Sequence, residues 1–404
     1  MELTPRLRLM NWLVSQGLTG LPENDLIRGF CERCCDGGVP LSYGLVVIDT
    51  LHPIFEGRGF RWHDTQSNQP QSFEYGPTEE GDAAEGWKRS IFYDMLEQGD
   101  EHRVVDLTDE SAFRYSRFDE LAAQGHKHVT SFVHRFGEAG TMGQMDCVYS
   151  NWTTRRDDGF GEEGLAAMRD LVPVLGLAIK SAAQADIART LGRVYLGRET
   201  AEQVLRGKMS RGITEKIKAV LWFSDLRSFT TITDTAKPTE IIPLLNDYAE
   251  AVITAIHEAG GDVLKLIGDG TLALFRADDP AEACRRALKA DRIVRARVRE
   301  LNEKRKAEER PVTSVYVGLH VGEVFYGNIG SIERLDFTVV GPAVNEASRI
   351  ASMCRSVDRQ VLISSNFAEA LPAGERSNLV SVGRFALRGV GHAKELFTLD
   401  PATL

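Results

Sequence analysis

Two aspartates in the second half of the chain stand where a fold exposes carboxylates. Asp225 ends the apolar run Ala219-Val220-Leu221-Trp222-Phe223, and Asp269 lies between Gly268 and Gly270 in the short connection of two further apolar runs, 263–267 and 271–275. Strand ends and glycine-flanked hairpin tips present side chains at a surface rather than in a core. Each acid taken singly reads as a turn residue. Brought together, two carboxylates repel by several kcal/mol in a low-dielectric site unless a cation lies between them. Mg²⁺ prefers oxygen ligands and commonly keeps substrate phosphates in its shell, so it is the natural partner, and the backbone carbonyl of Leu226 could complete such a site. Further on, Asn345 and Arg349 are spaced i and i+4, which puts both on one face of a helix.

These residues need elements to hold them. From 217 onward apolar strands alternate with helical periodicity, and Pro238 opens an amphipathic helix that Gly260-Gly261 closes, the usual asymmetry of helix ends. In the first half, helical spacing over 3–35 stops at Gly37-Gly38 and a strand follows over 43–48. The stretch 64–82, rich in Gln, Ser, Pro, Gly and acid, is expected to be a mobile loop. Strands are expected over 129–136 and 145–153, and a helix over 162–183. Between 185 and 212, Ile187, Leu191 and Val194 fall at i, i+4 and i+7. That spacing suits a seam between two chains, or a connector packed on its own domain.

With 404 residues, 43% of them hydrophobic, the chain is long enough for two cores. A net charge of -10 excludes a nucleic-acid footprint as the organising feature. No run approaching the ~20 apolar residues of a membrane span is expected, nor a signal peptide, so a cytoplasmic location follows as an expectation. Six cysteines, three of them Cys31, Cys34 and Cys35, do not make a disulfide framework, and the C-x-x-C lacks a second pair. The first half carries His52, His63, His102, His126, His128 and His134. His126 and His128, read on a strand, share a face and suit either a metal or solvent. A haem or metal sensor, a small organic or nucleotide ligand, and a ligand-free dimerisation domain all stay open for this half. His320 reads as a core histidine and His392 as loop surface.

The run 151–160 leading into the helix resembles the closing strand, turn and helix of GAF-type sensor domains. Four runs in order, FSDLRSFT (223–230), KLIGDG (265–270), GLHVGEVFYGNIGS (318–331) and DFTVVGPAVNEASR (336–349), resemble the motifs of class III nucleotidyl cyclases. The second resemblance covers essentially all of 217–399, and the 185–212 segment resembles the linker that precedes the catalytic domain in bacterial members. It implies that Asp225 and Asp269 hold two Mg²⁺ or Mn²⁺ ions per site, that Lys265 and Thr338 select the base, that Asn345 positions the ribose, and that Arg349 stabilises charge growing on the α-phosphate. The family's phosphate-binding lysine aligns with Arg388, with Lys394 as rival. Guanylyl cyclases carry Glu and Cys at the two base positions, so Lys265 with Thr338 favours ATP. A lysine donor and a hydroxyl suit adenine N1 and N6, whereas guanine calls for an acceptor carboxylate.

The resemblance thus implies an α+β chain: a GAF-like sensor over 1–184, a helical linker over 185–212, and a ferredoxin-like (βαββαβ-type) cyclase domain over 213–404. Its expected activity is conversion of ATP to 3′,5′-cyclic AMP and pyrophosphate by in-line attack of the 3′-hydroxyl. In this family the lysine and the metal aspartates serve opposite sites, so a homodimer with shared active sites is expected, its geometry set by the N-terminal domain and a ligand not yet identified. The rival expectations are a guanylate or other nucleotidyl cyclase, and a silent dimerisation module.

Overall fold

The computed structural model describes residues 4–65, 71–78, 81–136, 147–208, 210, 212, 214–387 and 392–400, and the chain divides into two units, Met1–Leu191 and Gly192–Leu404. In the first unit six strands, β1 (Tyr43–Asp49), β2 (Gly57–His63), β3 (Gln71–Tyr75), β4 (His102–Asp106), β5 (His128–Arg135) and β6 (Cys147–Thr154), form an antiparallel sheet ordered β3-β2-β1-β6-β5-β4. Its helices are α1 (Pro5–Thr19), α2 (Glu23–Asp36), α3 (Gly81–Lys88), α4 (Ile91–Gln98), α5 (Phe118–Ala123) and α6 (Gly161–Leu196). Alternate residues of the strands feed two cores. Val46, Ile48 and Trp152 pack with α1, α2 and α6, while Tyr43, Val129 and Tyr149 pack with α4 and α5, as the two-residue period of a strand requires.

Several expectations change here. The stretch read as a mobile loop contains β3, which pairs with β2 because Gly57 and Gly59 stand opposite Tyr75 and Phe73. A Cβ on either glycine would collide with those rings, so the aromatic side chains lie flat across β2. The helix expected over 162–183 continues unbroken to Leu196 and carries Pro173 inside it. This helix holds a window of mean hydropathy 1.3 that is long and apolar enough to cross a membrane, which corrects the expectation that no such run exists. Half of that window is buried inside the protein, as befits the core helix that packs Leu171, Leu175 and Ile179 under the sheet. Ile187 is likewise buried in this core, and of the three seam candidates only Val194 is exposed. Cys31 and Cys34 are buried free thiols on α2 while Cys35 is exposed, and among the described residues no group of three His, Cys, Asp or Glu side chains could hold a metal.

The second unit opens with α7 (Arg198–Leu205), followed by β7 (Thr214–Leu226), α8 (Phe229–Thr235), α9 (Pro238–Glu258), β8 (Asp262–Ile267), β9 (Gly270–Arg276) and α10 (Pro280–Ala307). Then come β10 (Val315–Gly330), β11 (Leu335–Val340), α11 (Pro342–Val357), β12 (Val361–Ser364), α12 (Ser365–Ala370), α13 (Ala373–Arg376), β13 (Leu379–Phe385) and β14 (Lys394–Leu399). Within the sheet the order β10-β7-β9-β8, with α9 and α10 in the crossovers, is the expected βαββαβ pattern. β12 adds to β10 in parallel, and β14 and β13 follow it at that edge. Val220 and Trp222 of β7 pack with Tyr248 and Val252 of α9 and with Ala287 and Val294 of α10. Ala219 and Leu221 face Ala343 and Ala347 of α11 on the other side. Covered on both faces, β7 is an almost continuous apolar run rather than an alternating one.

His126 and His128 do not act together. His126 precedes β5, is 1% exposed, and places Nδ1 2.8 Å from both Ser42 Oγ and Thr153 Oγ1. The His128 ring instead lies 3.2 Å from the Asp157 carbonyl oxygen. Burial, followed by the charge of Arg155, lowers the His126 pKa to about 4, against an ordinary value near 6.5. The stability it contributes is therefore complete above about pH 6.5 and is lost as pH falls toward 4. Hydrogen exchange of β5 and β6 should quicken across that window in the native chain, and His126→Gln should flatten the response.

Candidate active site

β7 and β9 pair with Ser224 opposite Thr271, and β8 and β9 close with Ile267 opposite Gly270. That register sets the Gly268-Asp269 turn against the end of β7. The Leu226 N–H donates to Asp269 Oδ2 at 3.2 Å, so Leu226, expected for its carbonyl, meets the pair through its amide. Gly270 is what lets the turn come so close, since a Cβ there would stand 2.7 Å from the Ser224 carbonyl oxygen and 3.7 Å from Asp225 Oδ1. Burial pushes the Asp225 carboxyl up to about 6, and the hydrogen bond and charge of Asp269 add to it. A cavity of about 180 Å³ adjoins the pair, lined among others by Leu245, Asn246 and Ala249 of α9.

Two carboxylates held in mutual contact fit a divalent cation, which would offset their mutual repulsion. Among the described residues no third acidic, histidine or cysteine side chain joins them in a metal-binding group, so remaining ligands would come from backbone, water or a bound phosphate, the mixture Mg²⁺ favours.

The candidate base-reading residues form a second cluster. Lys265 Nζ on β8 donates to Asp336 Oδ2 on β11 at 2.5 Å. Asp336 and Thr338 are two apart on one strand and therefore share a face. Thr338 is 7% exposed and lies opposite Gly327 of β10. Asp336 was passed over in the sequence, although an acid two positions from a base-reading candidate on the same strand face is the signal that would have singled it out.

Asn345 and Arg349 are carried on α11, which lies unusually close to β10. A Cβ on Gly318 would be 2.5 Å from the Ala351 amide nitrogen and 2.7 Å from the Ala347 carbonyl oxygen. Asn345 is exposed and Arg349 half-buried, and among the described residues no carboxylate lies within 4.0 Å of Arg349. Between them Glu346 approaches His320 Nε2 at 3.7 Å and Lys394 Nζ at 4.0 Å. His320 is buried with Nδ1 2.9 Å from Ser364 Oγ, and burial lowers its pKa, which makes it a satisfied core histidine. His392 is exposed. Lys394 is drawn toward Glu346, whereas Arg388 lies outside the described residues. Among the described residues no hydrogen bond or ion pair joins Asp225 or Asp269 to Lys265, Thr338, Asn345 or Arg349.

Because α11 rests on bare backbone at Gly318, Gly318→Ala should lift it and lower stability by about 1–3 kcal/mol. The displacement of Arg349 should cost roughly 100-fold in turnover. Gly374→Ala, whose Cβ would meet nothing within 4 Å, is the control expected to leave both unchanged in parallel denaturation and activity assays.

Residues 214–400 match the model of the adenylate and guanylate cyclase catalytic domain. An adenylate cyclase of Anabaena cylindrica is 34% identical over 172 residues, 42% of this chain and 34% of that protein. The chain spans only about a third of the length of the curated relatives it matches. Among solved structures, a bacterial light-regulated adenylyl cyclase is 23% identical over 57% of this chain and 64% of its own, with a TM-score of 0.48. A guanylyl cyclase is 27% identical over 46% of this chain and 93% of its own, with a TM-score of 0.41. Residues 214–400 are thus a class III nucleotidyl cyclase catalytic domain.

Proposed function

We propose that the chain converts ATP to 3′,5′-cyclic AMP and pyrophosphate as a homodimer with two shared active sites. The observation that carries this reading is the contact of Asp225 with Asp269 beside a cleft, to which no hydrogen bond or ion pair joins Lys265, Thr338, Asn345 or Arg349 among the described residues. In this reading Asp225 and Asp269 hold the divalent cations of one site. When bound, Mg²⁺ or Mn²⁺ supplies neutralisation of the triphosphate and lowers the pKa of the attacking 3′-hydroxyl. Lys265 and Thr338 of the partner chain read adenine, Asn345 orients the ribose, and Arg349 meets the charge that develops on the α-phosphate during in-line displacement. Arg388 or Lys394 would hold the terminal phosphates.

Two features support a shared site. Arg349 has no carboxylate within 4.0 Å among the described residues and makes no bond to Asp225 or Asp269, which leaves it able to serve a different triphosphate. Large apolar side chains also lie exposed on the strands that carry the site, among them Leu266, Ile267, Phe325 and Val340, and Ile332 is exposed in the turn between β10 and β11; exposed apolar groups of this size suit a partner surface. The N-terminal unit, an antiparallel sheet with helices on both faces, is taken as a GAF-like sensor that sets the relation of the two catalytic domains. With ATP as substrate the reading also takes the chain to be cytoplasmic.

The Asp336 carboxylate beside Lys265 favours one alternative, a guanine-reading site, because an acceptor there suits guanine N1–H and N2. Purified chain incubated with ATP or GTP and either metal, with products identified by mass, separates the two readings. Cyclic AMP as the main product upholds the ATP reading, and cyclic GMP assigns the base contact to Asp336. Asp269→Asn should lower turnover at least ~100-fold, as expected when a group that stabilises the transition state is lost.

A complementation assay tests the shared site. Asp225→Asn and Arg349→Ala chains should each be inactive alone. Mixed in equal amounts they should recover about a quarter of native turnover, because half of the random dimers then contain one intact site. No recovery after confirmed subunit exchange would mean that each site is built within one chain.

A further inference from the structure

The face of the N-terminal sheet opposite α1, α2 and α6 contains a cluster of positive charge that the cyclase reading does not use. In the β1–β2 ladder Tyr43 pairs with His63 and Leu45 with Arg61, so Tyr43, Arg61 and His63 project to one side. With Arg117, Glu120 and Arg155 they line a cavity of about 500 Å³. Arg117 sits in the left-handed region at φ 69°, a conformation that costs a non-glycine residue roughly 1–2 kcal/mol. Such strained positions concentrate where a side chain must be aimed at a ligand.

The three guanidiniums are not equally satisfied. Arg155 is bound by both carboxylate oxygens of Asp64 at 2.8 and 2.7 Å, and Arg117 lies 3.3 Å from Glu120. These pairs are at the solvent-exposed rim, where an ion pair is worth only about 0–1 kcal/mol and exchanges readily for another anion. Arg61 differs. Its guanidinium stacks on the Phe73 ring at 4.1 Å and reaches the Tyr43 hydroxyl, its Nε is buried without a hydrogen-bond partner, and among the described residues no carboxylate lies within 4.0 Å of it. Convergence of the cluster is visible in His63, whose pKa is lowered by burial and, against the opposing pull of Asp64, further by Arg155, Arg61 and Arg117.

We propose that this cavity binds a small organic anion, its carboxylate or phosphate head group held by Arg61 and hydrogen-bonded by Tyr43 and His63. A guanidinium fork recognises two oxygens of such a head group at once. The volume lies within the about 300–1,000 Å³ usual for small-molecule sites and exceeds what a bare inorganic ion needs. Because every residue involved lies in the first unit, the proposal stands or falls independently of nucleotide turnover.

Calorimetric titration of the full chain with phenyl phosphate, phenylacetate and benzyl alcohol, at low ionic strength and neutral pH, tests it. At least one of the two anions should bind with Kd below about 1 mM while the neutral alcohol does not, and the arm that binds more tightly identifies the head group. Arg61→Gln should weaken binding roughly 10- to 100-fold, the range for loss of a charge-assisted hydrogen bond. Arg61→Lys, which keeps the charge without the fork, should fall between. Tyr43→Phe, which preserves the ring and its packing, should weaken binding roughly tenfold and serves if the arginine variants do not fold. Failure of both anions to bind, or affinities unchanged in folded Arg61→Gln or Tyr43→Phe chains, would overturn the assignment.

Discussion

The catalytic unit is organised around holding two like charges together. Asp225 and Asp269 belong to a strand end and a turn more than forty residues away, and their repulsion would part them if either segment were loose. Rigidity comes from β7, buried on both faces and paired along most of its length with β10 and β9. Gly270 removes the one side chain that would keep the turn away. Folding free energy from the apolar sheet thereby sustains an arrangement unfavourable by itself, as is common where strain or charge is stored for chemistry.

A second close approach places the remaining groups. On β10, Gly318 admits the backbone of α11, which fixes the helix that carries Asn345 and Arg349, while Glu346 between them turns toward His320 and Lys394. Lys265 and Asp336 form a distinct ion-paired cluster on β8 and β11. Small residues at these positions act as spacers, since in a close-packed interior one additional methyl against a neighbouring backbone moves a whole element.

The N-terminal unit solves a different problem with similar means. Its sheet separates a core under α6 from a second core under α4 and α5, and two glycines on β2 allow the rings of β3 to cover that strand. Phe73, laid flat in this way, supports the Arg61 guanidinium from beneath. A cation stacked on an aromatic face keeps its in-plane donors free, which is how an arginine can be held rigid without consuming the hydrogen bonds a ligand would use.

The sequence by itself determined the alternation of strands and helices in the second unit, the strand end and hairpin that bear Asp225 and Asp269, and the shared face of Asn345 and Arg349. Those features rest on local periodicity, glycine and proline punctuation and short spacings, which survive in a one-dimensional reading. Only the tertiary structure decided the rest. Strand β3 exists because glycines on a neighbouring strand receive its aromatics, although its own composition reads as loop. Ile187 is claimed by a core rather than by an interchain seam, and His126 is buried while His128 is not. The pairing of Lys265 with Asp336 spans 71 positions. Each of these outcomes depends on a partner far along the chain, and long-range packing overrides the weak local preferences from which a sequence is read.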